Sequence, residues 1–400
     1  MKLSRAVWAE INLDNLAHNM RETRRVTNKN SKITAVIKAD GYGHGAVCIG
    51  KTLLENGADR FAVATLSEAI QLRAFFPDVE IMVLGYTPEN LAIELIKNNI
   101  IQTIYTLEQA SEFSKIAIEL NQKLTIHIKL DTGMNRLGML CCDETIDSIL
   151  KMSKLEGLFI EGIFTHFAMA DEINKEFTRQ QVEKYNYIVN TLEKRALNIP
   201  IKHVSNSAAI IDMPEYNFDM VRAGIMLYGL YPSSYVNHNA VNLKEVMCLK
   251  AKVSQVKEIQ AGCGVSYGLK YKTEKKSQIA TLPIGYADGF TRMLTGKAKV
   301  MINGSKVPII GNICMDQCII EVSNLDVNIG DEVVLFGGND SDGISIDSVA
   351  NLLNTINYEV VCMVDKRVPR VYIKNNEEIS IKDYVLILSN KSENINISIF

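Results

Sequence analysis

No apolar run in this 400-residue sequence approaches the roughly 20 residues that a membrane-spanning helix needs. The first residues, MKLSRAVWAE, lack the apolar core of a secretion signal. The formal net charge is only −3, which gives no general attraction to nucleic acid or to an anionic membrane. The eight cysteines are scattered, and Cys314 and Cys318 have no second cysteine pair at the spacing of a zinc site. These absences favour a protein of the reducing cytoplasm, with free thiols and without a metal, nucleic acid or membrane partner.

The composition is typical of a soluble globular protein, with 47% hydrophobic and 22% charged residues. A chain of this length is too long for one ordinary small domain. We therefore expect two domains with ample core.

Eight short apolar, β-branched runs follow one another along the N-terminal part of the chain, and helical patterns separate them. The runs are 33–39, 61–65, 81–85, 101–105, 124–132, 158–167, 201–207 and 220–229. Eight strand–helix alternations predict a closed (β/α)8 TIM barrel over residues 10–242. An open, doubly wound parallel sheet is the structural alternative.

Polar residues at the expected helix starts support these assignments. N-caps are predicted at Ser67, at Thr87 before a proline, and at Thr106 within a capping-box pattern. Asn174 is the predicted cap of a long helix that extends to Leu197.

The pattern becomes mostly β after residue 242. We predict one long strand over 247–259, a hairpin around Asn303-Gly304, strands over 317–322 and 332–336, and a loop over 336–345. This predicts a mostly β C-terminal domain over residues 243–385, to which a strand from residues 1–9 is added. The segment after Lys374 has no role that the sequence indicates.

The segment ITAVIKADGYGHG, residues 33–45, has the strongest indication of chemistry in the chain. Its predicted strand ends at Lys38, directly before a loop with three glycines, and a lysine in that place is well suited to carry a cofactor. A solvated lysine at a strand end is the alternative. The glycines lack the G-x-G-x-x-G spacing of a dinucleotide site.

Two loops after the last barrel strands have residues suited to a phosphate. Barrel enzymes often hold phosphate after strands 7 and 8, where this chain has residues 205–207 (SNS) and 222–225 (RAGI). Hydroxyls, free backbone N–H groups and a helix start suit that ligand. A plain helix cap explains the SNS run equally well.

The fifth predicted strand has a polar face. Thr125, His127, Lys129 and Asp131 alternate with apolar residues, so we expect them to line the barrel lumen. A buried lysine is costly unless it is paired or neutralised. This indicates either a salt bridge, to Asp131 or to another acid in the lumen, or a covalent modification. Arg136, in the loop that follows, is either a clamp for a substrate carboxylate or an ordinary surface arginine.

Three further residues are functional candidates only when they are considered together with the rest of the chain. His166 ends the sixth strand, and Tyr267 and Tyr286 lie in glycine-rich loops of the second domain. Taken alone, each is more typical of packing than of catalysis.

Together these pieces resemble alanine racemase, a fold-type III pyridoxal-phosphate enzyme. The resemblance extends over about residues 5–372. Its motifs are AVIKADGYGHG at 35–45, KLDTGMNRLG at 129–138, THFAMAD at 165–171, HVSNSAA at 203–209, VRAGIMLYG at 221–229, VSYG at 265–268, PIGYADG at 283–289 and GNICMDQ at 311–317.

The resemblance implies two catalytic residues. Lys38 would hold pyridoxal 5'-phosphate as a Schiff base and remove the α-proton of the D-isomer. Tyr267, from the second subunit of a homodimer with shared active sites, would be the base for the L-isomer. Racemisation needs acid–base groups on both faces of a planar carbanion, which agrees with this pair.

The resemblance also implies which residues bind substrate and cofactor. Arg136 and the backbone N–H of Met315 would bind the substrate carboxylate, and a carbamylated Lys129 would orient Arg136. Tyr286, with Tyr358, would crowd the substrate side chain. The implied cofactor contacts are Tyr42, Ser207, Gly224, Ile225 and Tyr358 around the phosphate, Arg222 at the pyridine nitrogen, and His166 between Arg222 and Tyr267.

The implied function is the interconversion of L- and D-alanine, which supplies D-alanine for peptidoglycan. The alternatives are a racemase for serine or a larger amino acid, an amino-acid decarboxylase of the same architecture, a non-catalytic cofactor-binding protein, and a structural protein without a ligand.

Overall fold

The computed structural model describes residues 3–338 and 343–386, so part of the predicted loop 336–345 and the end of the tail lie outside the described residues. The chain forms two compact units. One is Leu13–Val246, and the other combines Met1–Asn12 with Met247–Phe400. Strand β1 (Val7–Asn12) belongs to the second unit.

The first unit is a nearly closed barrel of eight parallel strands surrounded by helices, which confirms the predicted fold class. The eight barrel strands are β2 (Lys32–Val36), β3 (Arg60–Val63), β4 (Ile81–Val83), β5 (Ile101–Ile104), β6 (Leu124–Asp131), β8 (Leu158–Phe164), β9 (Ile201–His203) and β10 (Met220–Ala223). A short strand β7 (Met139–Leu140) lies beside them. The order is β10-β2-β3-β4-β5-β6-β8-β9, and β7 pairs only with β6. Two backbone hydrogen bonds bridge β9 and β10, from the Asp219 N–H to Lys202 C=O (3.1 Å) and from the Arg222 N–H to Ser205 C=O (3.0 Å).

Each strand of the barrel leads into a helical connection. The helices are α1 (Leu13–Val26), α2 (Lys38–Tyr42), α3 (Ala46–Glu55), α4 (Leu66–Phe75), α5 (Ala92–Lys97), α6 (Leu107–Glu119), α7 (Asp143–Met152), α8 (Glu176–Lys194) and α9 (Ser207–Asp212). Among residues 3–338 and 343–386, no helix is both long and apolar enough to cross a membrane.

Side-chain caps determine where two of these helices begin. Thr106 accepts a hydrogen bond from the Gln109 N–H, as predicted. The cap predicted at Ser67 is wrong, because Thr65 caps α4 and completes a reciprocal capping box with Glu68.

The other two predicted caps differ from the structure. Thr87 instead donates its hydroxyl to Gln102 (2.7 Å), and a single 3₁₀ turn starts after Pro88. Helix α8 begins at Glu176, two residues after Asn174, although the Asn174 side chain accepts the Glu176 N–H (2.9 Å).

The second unit is built on a ten-stranded sheet. After β1 its strands are β11 (Met247–Lys252), β12 (Gln255–Ile259), β13 (Gly264–Val265), β14 (Tyr271–Lys272), β15 (Ser277–Leu282), β16 (Lys299–Ile302), β17 (Ser305–Ile310), β18 (Cys318–Glu321), β19 (Glu332–Phe336), β20 (Arg370–Lys374) and β21 (Glu377–Lys382). The order of the large sheet is β12-β15-β18-β17-β16-β19-β11-β1-β20-β21, and β13 pairs with β14. Helices α10 (Ile346–Leu353) and α11 (Asn357–Met363) complete the unit.

The hairpin prediction in this unit is confirmed and the long-strand prediction is wrong. Asn303 (φ 46°) and Gly304 (φ 71°) both adopt the positive φ of a tight hairpin turn between β16 and β17. The predicted strand over 247–259 divides at Val253, because β11 pairs with β1 and β19 whereas β12 pairs with β15.

Candidate active site

Lys38 lies at the start of an unusual left-handed turn. The strand predicted to end at Lys38 ends at Val36, and Lys38 is half-buried. Ala39, Asp40 and Tyr42 then have φ of 52°, 51° and 51°, with Gly41 between them at 64°. Left-handed backbone costs roughly 1–2 kcal/mol for each such non-glycine residue. A strained segment of this kind persists only where its surroundings hold it in place.

Two carboxylates hold this turn. The Ala39 N–H donates to Glu68 Oε1 (2.6 Å), and the other oxygen of Glu68 accepts from the Ala64 N–H (2.9 Å). Asp40 Oδ1 accepts from the Ala46 N–H (2.9 Å) at the start of α3. Ala39 is therefore tied to α4, and Asp40 is tied to the start of α3.

A cradle of hydroxyls and backbone N–H groups lies where the sequence indicates phosphate binding. The Gly224 N–H donates to Ser207 Oγ (2.9 Å). A Cβ at Gly224 would lie 3.1 Å from the Tyr42 hydroxyl and 3.7 Å from Ser207 Oγ, so a side chain here would crowd the Tyr42 hydroxyl and narrow this space. Ile225 follows and starts a 3₁₀ turn. The cradle fits an oxygen-rich anion such as a phosphate.

Arg222 is buried, and the acceptors that hold its guanidinium in place are all neutral groups. Nη2 donates to the carbonyls of Thr165 (2.8 Å) and Val204 (2.9 Å) and lies 3.2 Å from His166 Nδ1, while Nη1 lies 2.8 Å from His203 Nδ1. Burial lowers the pKa of Arg222 to about 10, so it stays protonated at neutral pH.

His166 is a neutral imidazole. Burial, and next the charges of Arg222 and Arg136, hold its pKa well below the ordinary value. Because Arg222 can only donate, Nδ1 of His166 accepts and Nε2 carries the proton. His166 therefore has an N–H to offer to a further acceptor.

Lys129 is a buried amine without a carboxylate partner in the part of the chain that the structure describes. It is 6% exposed, and Nζ donates to Leu130 C=O (2.6 Å). Asp131 accepts instead from the backbone N–H groups of Gly133 (2.9 Å) and Asn135 (3.1 Å), which orders the loop before Arg136. Burial, and next the charge of Arg222, lower the pKa of Lys129 to about 7. The structure therefore contradicts the salt bridge to Asp131.

Arg136 is exposed in the loop after β6. It forms no hydrogen bond or ion pair with any residue in the described ranges. Its charge nevertheless contributes to the lowered pKa of both Lys129 and His166, which places the guanidinium near them.

The second unit brings Tyr267, Tyr286 and Met315 into one cluster of loops. Asn312 Nδ2 donates to the Tyr267 carbonyl (2.6 Å), the Tyr286 N–H donates to Cys314 C=O (3.0 Å), and the Ala287 N–H donates to Met315 C=O (3.0 Å). The Tyr267 side chain is 74% exposed on this unit and lines an open cleft of about 700 Å³. Tyr358 is half-buried on α11.

The sequence did not predict four polar residues behind the site. Glu68 holds the Lys38 turn, as above. His203, with His127 and Glu161, continues the hydrogen bonding of Arg222 into the barrel. The sequence contains a partial indication for two of them, because His127 lies on the polar face of its strand and His203 lies just before the SNS segment. It contains none for Glu68 or Glu161.

The comparisons with known proteins agree over both units. Residues 11–232 match the family model "Alanine racemase, N-terminal domain", and residues 246–372 match "Alanine racemase, C-terminal domain". Alanine racemase 1 of Clostridium acetobutylicum is 52% identical over 382 residues, which are 95% of this chain and 99% of that protein.

Solved structures agree as well. An alanine racemase of Clostridium difficile 630 superposes with a TM-score of 0.93 at 45% identity, over 96% of this chain and all of that chain. The alanine racemase of Bartonella henselae, described with covalently bound pyridoxal phosphate, has a TM-score of 0.82 at 30% identity, over 92% of this chain and 99% of that chain.

Proposed function

This chain belongs to the alanine racemase family, and from that premise we propose that it interconverts L-alanine and D-alanine with pyridoxal 5'-phosphate as its cofactor. The observation that carries the proposal is the 52% identity with a Clostridium acetobutylicum alanine racemase, which extends over nearly the full length of both proteins. The activity then supplies D-alanine for peptidoglycan, and we place it in the cytoplasm.

The residues of the barrel fit the cofactor. When bound, pyridoxal phosphate supplies the electron sink that an amino acid needs to lose its α-proton. Lys38 would hold it covalently, and Arg222 would lie at the ring nitrogen, where its positive charge would disfavour protonation of the ring. The open space at Gly224 supports a phosphate site, for which we propose Tyr42, Ser207, Gly224, Ile225 and Tyr358.

Two residues move the α-proton. From D-alanine, the amine of Lys38 would take the α-proton on one face and the phenol of Tyr267 would give a proton to the other face. From L-alanine, the phenolate of Tyr267 would take the proton and the ammonium of Lys38 would give one. An ordinary tyrosine has a pKa near 10, so Tyr267 needs donors and positive charge beside it. His166, with its bare Nδ1 directed at Arg222, has its Nε2–H available for the phenolate oxygen.

We propose a homodimer in which Tyr267 of the partner subunit completes each site. The large exposure of Tyr267 on its own unit, at 74%, supports a role that is fulfilled against another chain. In this proposal residues 10–242 form the cofactor-binding domain, and residues 243–385, with strand 1–9 added, form the domain that carries Tyr267.

Substrate binding uses charge and size. Arg136 and the Met315 N–H hold the carboxylate of alanine, while Tyr286 and Tyr358 limit the side chain to a methyl group. The lowered pKa of Lys129, about 7, supports a reactive neutral amine that is carbamylated. The anionic carbamate then orients Arg136.

The test is chiral analysis of the product formed by purified protein from each L-amino acid. We expect inversion of alanine, far slower inversion of serine and none of lysine or arginine. The Lys38→Ala variant should lose both the visible absorbance of the cofactor and the activity. Release of carbon dioxide without inversion would identify a decarboxylase, and bound cofactor without any turnover would identify a non-catalytic binding protein.

A further inference from the structure

A row of four polar side chains extends from Arg222 into the barrel, and we name it the relay: Arg222, His203, His127 and Glu161. His203 Nδ1 lies 2.8 Å from Arg222 Nη1, and His203 Nε2 lies 2.8 Å from His127 Nδ1. His127 Nε2 lies 2.7 Å from Glu161 Oε2. The proposed proton transfers use none of these residues except Arg222.

The two ends of the relay determine the direction of every hydrogen bond in it. A guanidinium only donates, and an ionised carboxylate only accepts. Burial raises the pKa of Glu161, but hydrogen bonds from His127 and Arg60 outweigh it and leave that pKa at about 2. Glu161 is therefore ionised at neutral pH.

Both histidines of the relay must then adopt one tautomer. Burial lowers the pKa of His127, and burial together with Arg222 holds the pKa of His203 well below its ordinary value, so both rings are neutral at pH 7. With Arg222 donating to one end, each ring has a bare Nδ1 and a protonated Nε2. The opposite tautomer of His203 would place two donors face to face at 2.8 Å.

The barrel makes room for this arrangement. The register of β6 and β8 shifts so that Ile126 pairs with Ile160 and His127 with Gly162, which leaves Glu161 as the extra residue of a bulge. A Cβ at Gly162 would lie 2.4 Å from His127 Nδ1, so the ring occupies space that only glycine leaves open. The His203 ring stacks on Phe164, with centroids 4.6 Å apart.

The relay also supplies the only link from Arg222 to a negative charge within the described ranges. The hydrogen bonds of its guanidinium all go to carbonyls or imidazole nitrogens. Glu161 in turn lies 2.8 Å from Arg60, which also pairs with Glu80 (2.5 Å), and Glu80 pairs further with Lys32 (3.7 Å).

We infer that Glu161 is a positioning residue that acts through His127 and His203 to hold Arg222 in place. The effect of a displaced Arg222 on the ring nitrogen of the cofactor rests on the proposed function. The tautomer assignment of His127 and His203 does not. In Glu161→Gln the amide can donate to His127 Nε2 as well as accept from it, so the reversed tautomers of both rings compete with the native ones. In the reversed tautomers Arg222 Nη1 faces a donor in place of its acceptor.

The direct test is nuclear magnetic resonance of the full chain labelled with 15N-histidine, at pH 7. Long-range 1H–15N spectra distinguish the two neutral tautomers from the imidazolium, and single His→Gln variants assign the signals. We expect His127 and His203 as neutral Nε2–H tautomers. An Nδ1–H tautomer or an imidazolium at either position overturns the inference, whether or not the protein racemises alanine.

The second test compares Glu161→Gln with Glu80→Gln, since both remove a carboxylate from Arg60 but only the first touches the relay. For Glu161→Gln we expect mixed tautomers at His127 and His203, an altered absorbance spectrum of the bound cofactor, and kcat lower by about 10- to 100-fold with little change in KM. Glu80→Gln should resemble the wild type in its histidine tautomers, its cofactor absorbance spectrum and its kinetic constants. Equal effects in the two variants, or unchanged tautomers in Glu161→Gln, reject the positioning role. If the wild type shows the expected tautomers but no racemisation, the proposed function fails and the tautomer assignment stands.

Discussion

The carboxylate of Glu68 accepts a hydrogen bond from the backbone N–H of Ala39 at 2.6 Å, one residue after Lys38. Ala39 is in the left-handed region, where alanine is strained, so this bond stabilises a backbone that the sequence alone disfavours. Glu68 also accepts the N–H groups of Ala64 (2.9 Å) and Thr65 (3.2 Å). The placement of Lys38 therefore depends on a carboxylate of the neighbouring helix.

We predict that Glu68→Gln loosens this turn. A glutamine has one accepting oxygen, so at least one of the three N–H groups loses its partner, at a cost of about 1–3 kcal/mol. The free energy of unfolding in urea should fall by that amount, and kcat should fall because Lys38 is less well held.

The matched control is Glu108→Gln, in the first turn of α6, where the side chain is exposed. It should leave both quantities within experimental error. Equal stability of the Glu68→Gln variant and the wild type would show that the turn does not need this carboxylate.

The barrel was predictable from the sequence because its signal is local. Each strand is a short apolar run, some helices begin at a polar cap such as Thr65 or Thr106, and the chain alternates between strands and helices. The strand bounds differ by a few residues where the chain leaves the sheet early, as at Val36, because side-chain bonds from Glu68 compete with the sheet.

The features that the sequence could not predict are contacts between distant residues and backbone conformations that oppose local preference. Three non-glycine residues of the Lys38 turn have positive φ, which no propensity favours. His127 and His203 are 76 positions apart, and only the register of the barrel strands brings their rings to 2.8 Å. The break at Val253 arises because the chain passes to a different part of the sheet.

Lys129 should form a carbamate. Carbon dioxide adds to a neutral amine, and the pKa of Lys129, lowered to about 7, leaves much of this amine unprotonated at neutral pH. Protein equilibrated with 13C-bicarbonate should show a carbamate carbon resonance that weakens as the pH falls below about 7. The resonance should disappear in Lys129→Ala and persist in Lys123→Ala, whose side chain is exposed just before the same strand. A resonance that survives in Lys129→Ala would assign the modification to another lysine.

The same lysine should make stability depend on pH. Burial, then Arg222, lower the pKa of Lys129 from 10.5 to about 7, so the unfolded chain binds more protons than the folded chain between those values. Stability therefore rises with pH across this interval, and the penalty is fully present only below about pH 7. Lys129→Met removes it, so the variant should gain most over the wild type near pH 7 and least near pH 10, by at most about 5 kcal/mol.

The measurement is urea unfolding in buffers freed of carbon dioxide, so that the amine is not carbamylated. Lys123→Met serves as the control and should follow the wild type at every pH. A constant difference between Lys129→Met and the wild type across the range would mean that Lys129 keeps one charge state throughout.

The proposed sharing of each active site between two subunits gives the sharpest prediction, because two inactive variants should restore each other's activity. Lys38→Ala and Tyr267→Phe are each expected to lack racemase activity as pure homodimers. In a mixed dimer, Lys38 of one chain meets Tyr267 of the other at one site, while the second site lacks both residues. Random exchange of equal amounts makes half of the dimers mixed, so about one quarter of all sites should be active, which gives about one quarter of the wild-type activity.

Cofactor absorbance of the Tyr267→Phe homodimer should be retained, which separates loss of catalysis from loss of cofactor binding. Activity that stays at the level of the separate variants after exchange, with mixed dimers confirmed by mass spectrometry, would place Lys38 and Tyr267 of one site on the same chain.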